Sequence, residues 1–182
     1  MRQLVRLDAP GVTLRAFEEG DAHDLLVALV DDDIARWNPG PTGAEGAARF
    51  MAERNDWSDA DHASWAVADG TGRLAGSVSI HKIDPDQGDA EIGYWVAPWA
   101  RRRGLATRAV GTASAFAFST LGLRRLYLYH AVENTGSCAV AEAAGFLLEG
   151  TLRQSYRYAD GVHHDEHLHG LLAVDLEAVG GA

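Results

Sequence analysis

The stretch Val96-Ala97-Pro98-Trp99-Ala100-Arg101-Arg102-Arg103-Gly104-Leu105-Ala106-Thr107 is the part of the chain best equipped for chemistry. It runs from the end of a predicted strand, through a basic loop, into the start of a predicted helix. Such a junction holds a pyrophosphate: first-turn N–H groups lack intrahelical partners, the positive end of the helix dipole faces the anion, and guanidinium groups add charge and paired hydrogen bonds. Gly104 permits close backbone approach. The ligand implied is a phosphorylated cofactor. Three successive arginines reverse the field locally in a chain of 182 residues with 16 basic and 26 acidic side chains and a net charge of -10. The plainer alternative is a solvated helix entrance, since Lys82 is the only lysine and an arginine-rich chain produces such runs.

Two further groups of residues have reactive side chains. His163, Asp165, His167 and His169 would share one face of a strand, a geometry able to hold a metal. Cys138 invites an acyl-cysteine mechanism, but it sits in an alanine-rich helical stretch with no histidine partner fixed by spacing, which favours a buried inert thiol. Trp37, Trp57 and Trp99 fall in or near predicted loops, where any of them could line a substrate mouth, although ordinary packing is the better expectation. Gly70-x-Gly72 is a hairpin turn and not a dinucleotide fingerprint, because no helix follows it.

The elements that must position these residues follow from periodicity. Val12 to Phe17 reads as a strand, followed by a helix with Ala22, Leu25, Leu26, Leu29 and Val30 on one face. Trp37-Asn38-Pro39-Gly40-Pro41 breaks the chain, and Thr42 caps a second helix carrying Ala47, Ala48, Phe50 and Met51, so two helices precede the main sheet. A period of two then gives a three-stranded meander: Trp65 to Ala68, Leu74 to Ile80, and Ala90 to Val96. Leu105 to Ala117 is a strongly amphipathic helix stopped at Gly122, and Arg125 to His130 follows as a strand, so this crossover should be parallel and right-handed. A short helix spans Gly136 to Ala144, strand resumes at Phe146, and Tyr156 to Leu172 closes as a hairpin around Asp160-Gly161.

Length, charge and composition narrow the classes. The expected organisation is one domain over residues 1–182, with a core large enough to fold alone. The acidic balance opposes nucleic acid and anionic lipid as partners, and no apolar run reaches membrane-spanning length. One cysteine excludes a disulfide framework and a Cys-rich zinc module, and with no leader-like start it points to the cytoplasm.

Arg101-x-x-Gly104-x-Ala106 after Val96-x-Pro98 resembles the acetyl-CoA loop of the GNAT acyltransferase superfamily. Asn134-Thr135-Gly136-Ser137, with Gly145-Phe146 and Glu149-Gly150, resembles its second block. Ala90 to Val96, Arg153, Asp160-Gly161 and Asp165 are similar to the branch of ribosomal-protein N-terminal acetyltransferases, and the likeness covers nearly the whole chain. It implies an α/β fold with a largely antiparallel sheet, flanking helices, and a parallel strand pair that splays into a cleft. Acetyl-CoA would be the co-substrate, with its pantetheine arm along Tyr94, Trp95 and Val96 and its pyrophosphate on Arg101, Arg102, Arg103, Gly104, Leu105, Ala106 and Thr107.

Asn134 would hydrogen-bond the cofactor arm, although without the family it reads equally as a helix cap. Glu91 is the leading base candidate, directly or through water, against the reading of an ordinary carboxylate on a half-solvated sheet face. A backbone N–H near Val96 would meet the oxyanion. Ser137 would orient the thioester or relay a proton to the thiolate, or else merely cap its helix; the tyrosine that many relatives carry one turn on is Ala141 here. No metal is implied. The acceptor expected is a primary amine, a protein N-terminal α-amino group or a small cationic amine, attacked directly in a ternary complex. An aminoglycoside acetyltransferase and a non-catalytic acyl-CoA-binding regulator are the alternatives. A homodimer is common in the family, while these residues leave oligomeric state open.

Overall fold

The computed structural model describes residues 4–180; residues 1–3, 181 and 182, which the expected domain includes, lie outside the described residues. In chain order the elements are β1 (Leu7–Ala9), β2 (Val12–Arg15), α1 (Ala22–Leu29), α2 (Asp32–Trp37), α3 (Gly43–Asn55), β3 (Ala63–Asp69), β4 (Leu74–Asp84) and β5 (Asp89–Val96). They continue with α4 (Leu105–Ser119), β6 (Arg125–Ala131), α5 (Thr135–Ala143), β7 (Leu147–Arg157), β8 (His163–Leu172) and α6 (Ala173–Gly180).

The described strands form one eight-stranded sheet in the order β1-β2-β3-β4-β5-β6-β8-β7. Every neighbouring pair is antiparallel except β5 and β6, which run parallel across the α4 crossover. The expected mixed sheet, meander and crossover are therefore all present. Helix α4 packs on β4 and β5, whereas α5 leans on β6 and β7. The core beneath α4 is aromatic: Trp65 meets Trp57 edge-on at 4.9 Å and Phe116 at 5.3 Å between ring centroids.

Three elements go beyond the periodic reading. Helix α2 is too short to show an apolar stripe, yet Asp31 caps it by accepting from the Ile34 N–H, so three helices and not two precede the meander. Strand β1 has three residues and takes its order from pairing with β2. Helix α6 follows the last strand directly. Val30, expected on the buried face of the first helix, is exposed because α1 stops at Leu29; Ala48 on α3 is likewise exposed.

Candidate active site

The cleft begins where strand pairing stops. Parallel pairing of β5 with β6 is limited to Asp89 with Arg125, Ala90 with Leu126 and Glu91 with Tyr127. Beyond Glu91 the strands diverge, while β5 remains paired to β4 as far as Val96. One edge of β5 from Ile92 to Val96 is thus left without a strand neighbour. A buried edge of unpaired backbone groups is costly unless something extended pairs with it, so Tyr94, Trp95 and Val96 offer the amide-bearing edge that a pantetheine arm can use. The space between the strands is a cleft of about 500 Å³.

At the far end of β5, a turn of 3-10 helix over Pro98–Ala100 leads into the basic loop. Arg102 and Gly104 both sit in the left-handed region, at φ 56° and 69°, and the turn they make lets α4 start abruptly. Gly104 is the N-cap, no side chain caps the helix, and its first turn holds no acidic residue. Leu105, Ala106 and Thr107 therefore present N–H groups free for an anion at the positive end of a 15-residue helix.

The arginines divide by role. Arg101 is held by Asp31 and, at 3.2 Å, by Asp33, both at the start of α2, and Arg103 by Asp69 at 3.0 Å. These two anchor the loop to the body of the protein, while the exposed Arg102 has no ion pair among the described residues. Sequence reasoning passed over Arg108, whose Nη2 donates to the Arg103 carbonyl at 2.9 Å and whose Nε is buried without a partner. It lies one helical turn after Gly104, a spacing that could have flagged it.

Glu91 closes the apex of the split. Its Oε1 lies 3.3 Å from His81 Nε2 and its Oε2 accepts from Lys82 Nζ at 2.7 Å. A bulge in β4 between His81 and Asp84 turns Lys82 to φ 53° and aims it at this carboxylate. Gly93 makes room for the imidazole, since a Cβ there would lie 3.2 Å from His81 Cε1. Burial pushes the Glu91 pKa up, but His81 and Lys82 outweigh it and hold the carboxyl below its ordinary value. His81 and Lys82 belong to the site and were not singled out from sequence, because a bulge on the neighbouring strand, nine residues from Glu91, carries no local signature.

On the other strand of the split, Asn134 caps α5 by accepting from the Ser137 N–H at 3.1 Å. The Tyr94 hydroxyl donates to the Ser137 carbonyl at 3.1 Å and to its Oγ at 3.3 Å. Tyr94 of β5 thus brings a phenol to the first turn of α5, which has Ala141 one turn on from Ser137. Burial pushes the Tyr94 pKa up to about 12, so it keeps its proton. Trp95, by contrast, is buried in the core.

The outer wall of the cleft is aromatic and acidic. Trp37 meets Tyr158 edge-on at 5.0 Å, and Tyr156 stands 4.8 Å from Tyr158. Behind them Glu166, 7% exposed, accepts from Ser155 Oγ and Tyr158 Oη, each at 2.8 Å. No ion pair reaches it among the described residues. Of the three tryptophans considered, Trp37 faces the cleft, whereas Trp57 is buried and Trp99 donates to the Leu74 carbonyl at 3.0 Å.

The histidine face is rearranged. His163 is exposed, and His164 is clamped between Glu133 and Asp160 at 3.1 and 3.0 Å. His167 and His169 point instead to His130 of β6 and Cys138 of α5. Cys138 therefore does have histidine neighbours, which only strand pairing could reveal. Burial and the nearby Glu142 carboxylate push its pKa up, so it is a thiol and a poor nucleophile.

A parallel pair splayed beside a bare helix N-terminus makes a cleft suited to an extended ligand that ends in an anionic group. The chain belongs to the GNAT family: the Acetyltransferase (GNAT) domain matches residues 12–147. It is 31% identical over 173 residues, 91% of this chain and 93% of the relative, to the Bacillus subtilis (strain 168) protein named "Putative ribosomal N-acetyltransferase YdaF". A crystal structure described as "Probable acetyltransferase" matches with a TM-score of 0.84 and 29% identity over 94% of this chain and 98% of that one. The spermidine N-acetyltransferase of Vibrio cholerae, solved with CoA and spermine, shares the fold at a TM-score of 0.78 and 24% identity, covering 92% and 98%. The chain is an acetyl-CoA-dependent N-acetyltransferase of the Rim-type branch, with acetyl-CoA as co-substrate. No described helix is long and apolar enough to cross a membrane.

Proposed function

We propose that the protein acetylates a primary amine carried on a cationic acceptor, a polyamine or a basic peptide N-terminus, by direct attack in a ternary complex. Buried Glu166 carries this reading. A carboxylate taken out of water and met only by two hydroxyls has a large unspent capacity for a cation, and the exposed ring of Tyr156 stands on the same wall, while Trp37 already carries the Arg36 guanidinium 4.4 Å over its ring. The net charge of -10 adds long-range attraction for such an acceptor. An α-amino group, with a pKa near 8, offers far more free base at neutral pH than a lysine near 10.4.

Glu91 takes the proton of the attacking amine directly or through a water, with its basicity held down by His81 and Lys82. The unpaired N–H groups of β5 near Val96 stabilise charge on the carbonyl oxygen. Ser137, held by Tyr94, positions the sulfur end, and a thiol with a pKa near 8.5 departs with little further help. Asn134, Arg102 and the first-turn amides Gly104 to Thr107 bind the carrier, with Arg101 and Arg103 keeping their loop in place. We assign the chain to a single domain and to the cytoplasm, where its co-substrate and its lone cysteine fit. The exposed Leu147 and Leu148 on edge strand β7 support a homodimer, which light scattering on the purified chain tests.

The decisive experiment follows thiol release with polyamines, basic and neutral peptides, and aminoglycosides. Cationic linear amines should give the highest kcat/KM, and Glu166→Gln should lower it by about 10- to 100-fold, the range of a charge-assisted hydrogen bond, with KM for acetyl-CoA unchanged. Preference for neutral acceptors, or an unaffected Glu166→Gln variant, refutes the reading.

A further inference from the structure

Below the cleft floor, strand pairing and one helix turn collect four nitrogen and sulfur donors that acetyl transfer does not use. His130 lies directly across from His167 in the β6–β8 register, and His169 is two residues further along the same strand. Cys138 reaches down from the first turn of α5. His130 Nε2 and His169 Nε2 are 3.1 Å apart, Cys138 Sγ is 3.9 Å from His169 Nε2, and one donor atom from each of the four residues lies within 4.8 Å of the rest. A tetrahedral zinc ion with bonds of about 2.05 Å to nitrogen and 2.3 Å to sulfur has donor–donor edges of about 3.3–3.6 Å. Two of the edges are already near that size.

The surroundings favour coordination over simple packing. His130 Nδ1 donates to the Ala131 carbonyl at 2.8 Å, which fixes the proton on that nitrogen and leaves the Nε2 lone pair directed at the centre. His130 and His169 are 4% and 0% exposed. Nδ1 of His167 and Nδ1 of His169 are buried without a hydrogen-bond partner. The orphaned ring nitrogen of His167 is expensive for a residue whose only purpose is to fill space.

We propose that His130, Cys138, His167 and His169 form a four-coordinate site for a borderline-soft divalent transition-metal ion, zinc first. With four protein donors the site is closed, so the ion is structural: it ties the first turn of α5, and with it Ser137, to β6 and β8. Binding converts the Cys138 S–H to a metal-bound thiolate and releases one proton to solvent, while His169 moves its ring proton from Nε2 to Nδ1. No electron is exchanged and acetyl transfer needs no step through the metal.

The test uses the untagged, chelator-treated full chain, titrated with Zn²⁺ by calorimetry and with Co²⁺ by visible absorption. One ion per chain should bind, with the intense ligand-field bands of four-coordinate cobalt and a thiolate charge-transfer band. Cys138→Ser should abolish the charge-transfer band and weaken zinc binding by about 100-fold or more; His167→Gln, a second variant checked by circular dichroism, should weaken it comparably. Failure of the unaltered chain to take up one equivalent, a six-coordinate cobalt spectrum, or uptake indifferent to both substitutions overturns the assignment.

Discussion

Removing one oxygen atom, in Tyr94→Phe, separates a phenol that helps the reaction from one that merely packs. The hydroxyl is shared between the Ser137 carbonyl at 3.1 Å and the Ser137 Oγ at 3.3 Å, so it makes the equivalent of one ordinary neutral hydrogen bond. Such a bond contributes about 1 kcal/mol net, and a protein of this size loses about 2–4 °C in Tm for that amount. If the bond also fixes Ser137 against the thioester, the same 1 kcal/mol appears in the barrier and kcat falls about fivefold. Thiol release at saturating acetyl-CoA measures kcat, and calorimetry measures Tm. With the Tyr94 pKa raised to about 12, the phenol stays protonated through the alkaline assay range, so the variant should keep the parent's alkaline pH limb. A lowered Tm with unchanged kcat would reduce Tyr94 to packing, and an alkaline limb lost on substitution would refute the protonation argument.

Glu91→Gln should lower kcat by about 100-fold or more while leaving KM for acetyl-CoA within about twofold; retained turnover would move the base to His81 or to solvent, and a chain with no turnover before substitution would be a carrier-binding regulator. Gly104→Ala forces a side chain into a left-handed residue and brings a Cβ to 3.0 Å from Arg108 Nη1. That costs about 1–2 kcal/mol and displaces the first-turn amides, so calorimetric affinity for CoA should drop about fivefold or more, whereas unaltered affinity would mean the pyrophosphate sits elsewhere. Glu133 and Asp160 raise the His164 pKa, so the stability that protonated His164 contributes is complete below its ordinary value of about 6.5 and fades as pH climbs through the raised one. The Tm deficit of His164→Gln should therefore be wider near pH 6 than near pH 9, and a gap independent of pH would show that the ring acts only by packing against Trp37.

Reading the chain alone went furthest where a short segment carries its own physics. The Val96 to Thr107 junction was legible because a glycine before a helix without a cap, a turn of proline and tryptophan, and free first-turn amides are all local properties. The α4 crossover was legible for the same reason, since an apolar period of this length admits few alternatives. The three arginines show the limit. Their number is visible in sequence, but the two partners of Arg101 lie 70 and 68 residues away at the start of α2, and that of Arg103 lies 34 residues away at the end of β3.

Amino-acid order by itself determined the meander, the crossover and the basic corner before α4, because periodicity, turn chemistry and helix ends act over a few residues. Only the tertiary structure decided that Tyr94 reaches Ser137, that His81 and Lys82 hold Glu91, that Glu166 stands uncompensated behind an aromatic wall, and that His130 and Cys138 meet His167 and His169. Each of those meetings depends on strand register and on a bulge or a helix start between residues far apart in the chain. Register is set by the whole core at once, with a one-residue slip sending every side chain to the opposite face, so no local pattern announces it.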